Sequence, residues 1–180
     1  MKIFVESRAY IEREMNKNPE WHIGKHIISI FSKGDESPLP DRFNILKLNF
    51  DDVAERDMGG WENIFEESCI FFNEEHAKAI HKFIEHIPAD DKRMFFVHCD
   101  AGVSRSGAVG MLLNEWFNKF LKVNRIDDEA FKMNNGHILP NPLVVRILKK
   151  ELFGLPFRGI EVNDYTYNED GEREDHIEKI

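Results

Sequence analysis

Apolar positions along the chain fall into short runs separated by polar breaks, and their period changes from place to place. Residues 2–7 alternate enough for a strand, and 9–15 fit one short helix. The run HIISIF at 26–31 is nearly all apolar and ends at Lys33-Gly34, the pattern of a buried strand followed by a loop. FNILKLNF at 43–50 predicts a third strand. KGDESPLPD at 33–41 is the Pro/Gly-rich break between these two. DDVAERDMGGW at 51–61 is polar, contains Gly59-Gly60, and predicts a mobile connection.

From Asn73 the period becomes helical, with Ala77, Ile80, Phe83, Ile84 and Ile87 on one face. Asn73 is placed to cap this helix, Glu74 and Glu75 suit its first turn, and Pro88 stops it. RMFFVH at 93–98 predicts a short buried strand, and helices are predicted over 107–121, 127–133 and 142–153. Strands alternating with helices predict an α/β domain, its central, mostly parallel sheet of about four to five strands flanked by helices. Ligands in such folds bind beyond the carboxyl ends of the strands. The turn at 98–106 is therefore where a site is expected.

A length of 180 residues suits one domain, and 42% hydrophobic with 32% charged residues excludes a disordered chain. The net charge of −9 argues against a nucleic-acid partner, which calls for a basic surface. Residues 161–180 hold eight acids against Arg173 and Lys179, so most of the imbalance lies there. A single domain over 1–160 and a solvated acidic tail over 161–180 are expected. No segment has the pattern of a signal peptide or membrane span, so a cytoplasmic protein without a membrane partner is expected. Two cysteines, Cys69 and Cys99, make neither a disulfide framework nor a four-cysteine zinc site. His22, His26, His76, His81 and His86 lack converging spacing and are expected to be solvated, with no metal and no cofactor. Trp21, Trp61, Trp116 and Phe117 are expected to pack.

The chemistry concentrates in His98-Cys99-Asp100-Ala101-Gly102-Val103-Ser104-Arg105-Ser106, which joins a buried strand to a helix. Cys99 stands at the strand end, facing a loop whose backbone N–H groups curl inward above a helix start. Such a nest favours anions, so it favours the thiolate and would equally cradle phosphoryl oxygens. Gly102 permits the tight turn. Arg105 supplies a planar, permanently charged fork for bidentate contact with phosphate.

HCDAGVSRS resembles the His-Cys, five residues, Arg-Ser/Thr signature of the cysteine-dependent tyrosine phosphatase superfamily, and its Gly-x-Ser-Arg-Ser ending resembles the compact dual-specificity branch. Leu46, Leu48 and Asp52 are similar to the family's strand end before the signature, and Pro140-Asn141 to its element after it. The resemblance implies a tyrosine-phosphatase-like fold and a two-step hydrolysis through a phosphocysteine. Cys99 would be the nucleophile. The backbone of Asp100, Ala101, Gly102, Val103 and Ser104, with Arg105, would hold the phosphate. Ser106 would hydrogen-bond the sulfur as it leaves, His98 would orient the loop from beneath, and Asn141 would brace the loop or cap the next helix.

A general acid must protonate the leaving oxygen and then activate water. Asp51, Asp52 and Asp57 are the candidates, and the family pattern puts the acid at Asp52. The small tyrosine phosphatases carry their nucleophile near the N-terminus, unlike Cys99, and rhodanese-type domains usually lack a serine after the arginine, unlike Ser106. The implied substrates are phosphorylated proteins, phosphotyrosine first, with phosphoserine and phosphothreonine open. The alternatives are a pseudophosphatase that binds phosphoproteins without turnover, a phosphoinositide or RNA phosphatase, and a redox-sensing thiol protein.

Overall fold

The computed structural model describes residues 1–53 and 69–154, together with the backbone of the short strands at 165–167 and 173–175. Most of the predicted connection at 51–61, including Asp57, Gly59-Gly60 and Trp61, lies outside the described residues, as does most of the predicted tail.

The chain runs through β1 (Ile3–Ser7), α1 (Arg8–Lys17), β2 (Lys25–Phe31) and β3 (Ile45–Asn49), then α2 (Glu74–Ile84) and β4 (Met94–Cys99). After these come α3 (Arg105–Glu115), α4 (Arg125–Asn134) and α5 (Pro142–Phe153). A separate antiparallel pair, β5 (Tyr165–Tyr167) and β6 (Arg173–Asp175), follows. The main sheet has the order β1-β4-β2-β3 and every pairing in it is parallel. The expected α/β architecture is thus present, with four strands in the main sheet and five α-helices among the described residues.

Period-2 alternation sorts the strand residues between two apolar layers. Ile3, Val5, Ile28, Ile30, Phe95, Val97 and Cys99 share the larger core with α2, α3, α4 and α5. Ile27, Ile45 and Phe96 face the other way, against Ile11 of α1, Phe4, Tyr10 and Trp21. This parity decides where the chemistry goes: Cys99 emerges on the face that α3 covers, while His98 turns away from it.

Local sequence accounts for the helix ends. Asn73 Oδ1 accepts from the Glu75 and His76 N–H groups, and His76 Nδ1 accepts from the Asn73 N–H in return, a reciprocal cap. Asn141 caps α5 by accepting from Leu143 and Val144 N–H, with Pro142 in the first turn. Gly154 closes that helix in the left-handed region, at φ 62°. The helix predicted from 107 begins two residues earlier, at Arg105, and after Glu115 it widens into a π-helical turn over Trp116–Phe120. There Leu121 N–H reaches Trp116 O, while Asn118 turns inward to Asn114 Oδ1 and Met1 O.

Two expectations are corrected. His22 and His26 are buried, not solvated, because His26 Nε2 lies 3.3 Å from Asp91 and its ring packs against Phe83 and Phe95. Phe43, expected in the third strand, is 90% exposed and precedes β3. Alternation alone did not show that the ladder begins at Ile45, where pairing with Ile27 starts.

Candidate active site

In a parallel sheet all carboxyl ends lie on one edge, and here each strand delivers a group to the same place. β1 ends at Ser7, level with Cys99 at the end of β4. β2 leads into Ser32, and β3 leads into Phe50, Asp51 and Asp52. β4 leads through the turn at 100–104 into Arg105 at the start of α3.

Cys99 is 1% exposed. Its Sγ lies 3.1 Å from Ser106 Oγ and accepts from the Gly102 N–H at 3.3 Å. The loop carbonyls are tied to the surrounding wall. Asp100 O accepts from Arg8 N–H, Val103 O from Leu139 N–H, and Ser104 O from the N–H groups of Asn141 and Ala108. Gly102 O lies 3.2 Å from His137 Nε2. In a trans peptide the N–H points opposite to the carbonyl, so the amides that follow these carbonyls point away from the carbonyls' partners. Gly102 has φ +77°, and a Cβ there would lie 2.6 Å from Glu6 C and Ser7 N. Glycine is required twice over, by backbone conformation and by the approach of β1.

Arg105 is 4% exposed. Its Nη1 donates to Ser32 Oγ at 2.9 Å and to Phe50 O at 2.8 Å, and its Nη2 donates to Asp100 Oδ2. Its Nε is buried without a partner among the described residues. The guanidinium is therefore gripped by groups from the ends of β2, β3 and β4. Burial alone would raise the Asp100 carboxyl pKa. The hydrogen bonds from Arg105 and Ser32, with the charges of Arg105 and Arg8, hold it below the ordinary carboxylate value.

Asp52 and Asp51 have different surroundings. Asp52 Oδ1 accepts from Ser104 Oγ at 2.7 Å and from Asn141 Nδ2 at 2.8 Å, which sets this carboxylate beside the Cys99 turn. Asp51 turns away, accepting from Lys33 N–H at 3.0 Å and Ile70 N–H at 2.7 Å. Asn141 does both of the things expected of it as alternatives: it caps α5, and it ties the turn to the Asp52 segment through Asp52 Oδ1, Val53 O and Ser104 O. His98 is 1% exposed, in β4 between Glu6 and Ser29. Its burial pushes its pKa down to about 4, so the ring is neutral near pH 7.

Sequence reasoning brought together Cys99, Gly102, Arg105, Ser106, Asp52 and Asn141, and the structure places them in one cluster. It missed Ser32, the Phe50 carbonyl, His137 and the use of the Asp100 side chain. The position of Ser32, directly after the buried run HIISIF and before Lys33-Gly34, was a signal that could have found it. Among the described residues no helix is long and apolar enough to cross a membrane.

No family model and no curated protein matches the chain. Solved structures do. A human tyrosine phosphatase-like serine/threonine/tyrosine-interacting protein is 18% identical with a TM-score of 0.50, over 82% of this chain and 89% of that one. The Cydia pomonella PTP-2 phosphatase is 18% identical with a TM-score of 0.45, over 83% and 84%. DUSP15 is 19% identical with a TM-score of 0.47, over 84% of each. The likeness to the first of these shows the fold: a tyrosine-phosphatase-like α/β fold, with the HCDAGVSRS turn seated at the end of β4.

Proposed function

We propose that this chain hydrolyses phosphate monoesters through Cys99, without a metal ion, and that its substrates are phosphorylated proteins, phosphotyrosine first. One observation carries the reading: a single turn holds Cys99 Sγ with Ser106 Oγ and the Gly102 N–H on it, leads into the buried Arg105, and is bonded through Ser104 Oγ to the Asp52 carboxylate. In the first step Cys99 attacks phosphorus, the P–S bond forms and the P–O bond to the leaving group breaks. Asp52 gives that oxygen its proton. Arg105 and the loop amides hold the equatorial oxygens as charge develops on them. In the second step Asp52 takes a proton from water, the water oxygen attacks phosphorus, and the P–S bond breaks. Ser106 supplies a hydrogen bond to the departing sulfur.

Phosphoprotein binding without turnover is a second reading. Its support is that the human structure named above is of a phosphatase-like interacting protein. The separating experiment is hydrolysis of para-nitrophenyl phosphate at mildly acidic pH with EDTA, beside Cys99→Ser. Phosphotyrosine, phosphoserine and phosphothreonine peptides would follow. Turnover lost in Cys99→Ser supports the enzyme. A folded, reduced wild type that binds phosphate but turns nothing over overturns it in favour of the binding protein.

A further inference from the structure

A guanidinium has five N–H donors, and counting them at Arg105 shows what is left for a ligand. Nη1 spends both of its donors, on Ser32 Oγ and on Phe50 O. Nη2 spends one on Asp100 Oδ2. Ser32 Oγ in turn donates to that same Asp100 oxygen at 3.0 Å. Ser32 and Asp100 thus form one linked pair across the two Nη nitrogens. Among the described residues two N–H groups remain without a partner, the buried Nε–H and the second one of Nη2, which is the number that a bidentate contact with phosphate needs.

An acidic side chain inside an anion-binding turn runs against the electrostatics of the site, since it places a negative charge beside the incoming phosphate. If charge alone mattered, Asp100 would compete with the ligand for Arg105. The hydrogen-bond arrangement opposes that account. Asp100 meets Arg105 at Nη2, on the side shared with Ser32, and leaves Nε without a partner among the described residues. It is also anchored independently by Ser32, which follows a different strand. Burial separates the partners further: the Arg105 side chain is 5% exposed, that of Asp100 40%.

We propose that Asp100, together with Ser32, is a positioning residue for Arg105: the pair clamps the Nη edge of the guanidinium so that Nε and one Nη2 N–H stay presented as a fork to phosphate. The side chain of Asp100 acts through Arg105 and does not touch the substrate. This rests on the phosphatase reading for its kinetic consequences, but not for its binding consequences.

The test is a set of variants, Asp100→Ala, Asp100→Asn, Ser32→Ala, Arg105→Lys and Arg105→Lys/Asp100→Ala. Each is assayed for kcat and KM on para-nitrophenyl phosphate and, by calorimetry, for affinity toward inorganic phosphate. Loss of one hydrogen bond to a charged group predicts that Asp100→Ala lowers kcat/KM about 10- to 100-fold and weakens phosphate. Asp100→Asn, which keeps an acceptor oxygen, recovers part of this. In the Arg105→Lys background the Asp100→Ala change adds little, because the fork it positions is gone, and a merely structural residue would still show its effect there. If Asp100→Ala does not fold, Asp100→Asn and Ser32→Ala carry the test, each expected to weaken phosphate. Unchanged or tighter phosphate binding in Asp100→Ala, or an equal loss in both backgrounds, overturns the clamp. Absence of turnover in the wild type would sink the phosphatase reading alone, and the phosphate affinities would still decide the clamp.

Discussion

Ser104 Oγ donates a 2.7 Å hydrogen bond to Asp52 Oδ1, tying the segment after β3 directly to the turn that carries Cys99. Asn141 Nδ2 donates to the same oxygen at 2.8 Å. Asp51, the adjacent residue, has neither contact and instead gathers the Lys33 and Ile70 N–H groups. Two neighbouring aspartates thus have separate tasks, which makes them separable by substitution. Asp52→Asn is expected to lower kcat on a phosphotyrosine peptide by about 10²- to 10⁴-fold and to remove the basic limb of the pH profile, since an amide cannot deliver the proton. Asp51→Asn is expected to keep that limb and to lose on the order of 1 kcal/mol of stability from one weakened backbone contact. The pH–rate profile and urea unfolding of both variants check this. The opposite pattern would transfer the acid role to Asp51.

Asn141 separates capping from bracing. Asn141→Asp keeps an oxygen for the Leu143 and Val144 N–H groups but loses the donor to Asp52 and sets a second carboxylate against it. It is expected to unfold within about 1 kcal/mol of the wild type, as an interchange of two good caps allows, while kcat falls. Asn141→Ala is expected to lose both, the cap at a cost of about 0.5–2 kcal/mol. Thermal unfolding and turnover measured side by side distinguish the two variants.

Gly102→Ala meets two obstacles at once, the positive φ of +77° and a Cβ placed 2.6 Å from the β1 backbone. Conformational strain alone costs on the order of 1–3 kcal/mol, and relief by moving the loop would carry the Gly102 N–H away from Cys99 Sγ. The variant is expected to be destabilised and to lose phosphate binding together. A stable Gly102→Ala with wild-type turnover would show that the turn does not need its present path.

His98 makes stability depend on pH. Its folded pKa of about 4, depressed by burial, lies below the unfolded value near 6.5. The unfolded chain therefore binds the extra proton first, so this contribution is complete above about pH 6.5 and is lost as pH falls toward 4. The shift corresponds to a contribution of order 3 kcal/mol. His98→Gln is expected to cost stability at pH 7.5 and to flatten the decline between pH 6.5 and 4. Unfolding free energies across that range test it, and parallel curves for the two proteins would remove His98 as the cause.

Structure decided by near neighbours is legible in the sequence. The cap at Asn73, the bounds of α5 from Pro142 to Phe153, and the buried strand at β4 all follow from spacing over a few residues. Edges of elements are less legible there. Phe43 looked like strand interior because aromatic residues favour strands, yet the pairing partner that would have extended β3 to it does not reach that far. His22 and His26 looked solvated because polarity was all that composition showed, whereas Asp91, 65 positions away, lines the pocket of His26.

The same division runs through the site. Cys99, Gly102, Arg105 and Ser106 lie within eight residues of one another, and a strand–turn–helix sets their mutual geometry through local backbone conformation, so the sequence by itself determined the sulfur, the turn and the cation. What holds the cation in register does not lie there. Ser32 and the Phe50 carbonyl, 73 and 55 positions from Arg105, reach it only because β2, β3 and β4 run parallel and end on one edge. Asn141 meets Asp52 across 89 positions from the N-terminal end of α5. Strand order is settled by which apolar faces bury one another, a global property that no short window of sequence carries. Tertiary structure therefore decided which donors of Arg105 are spent and which are left.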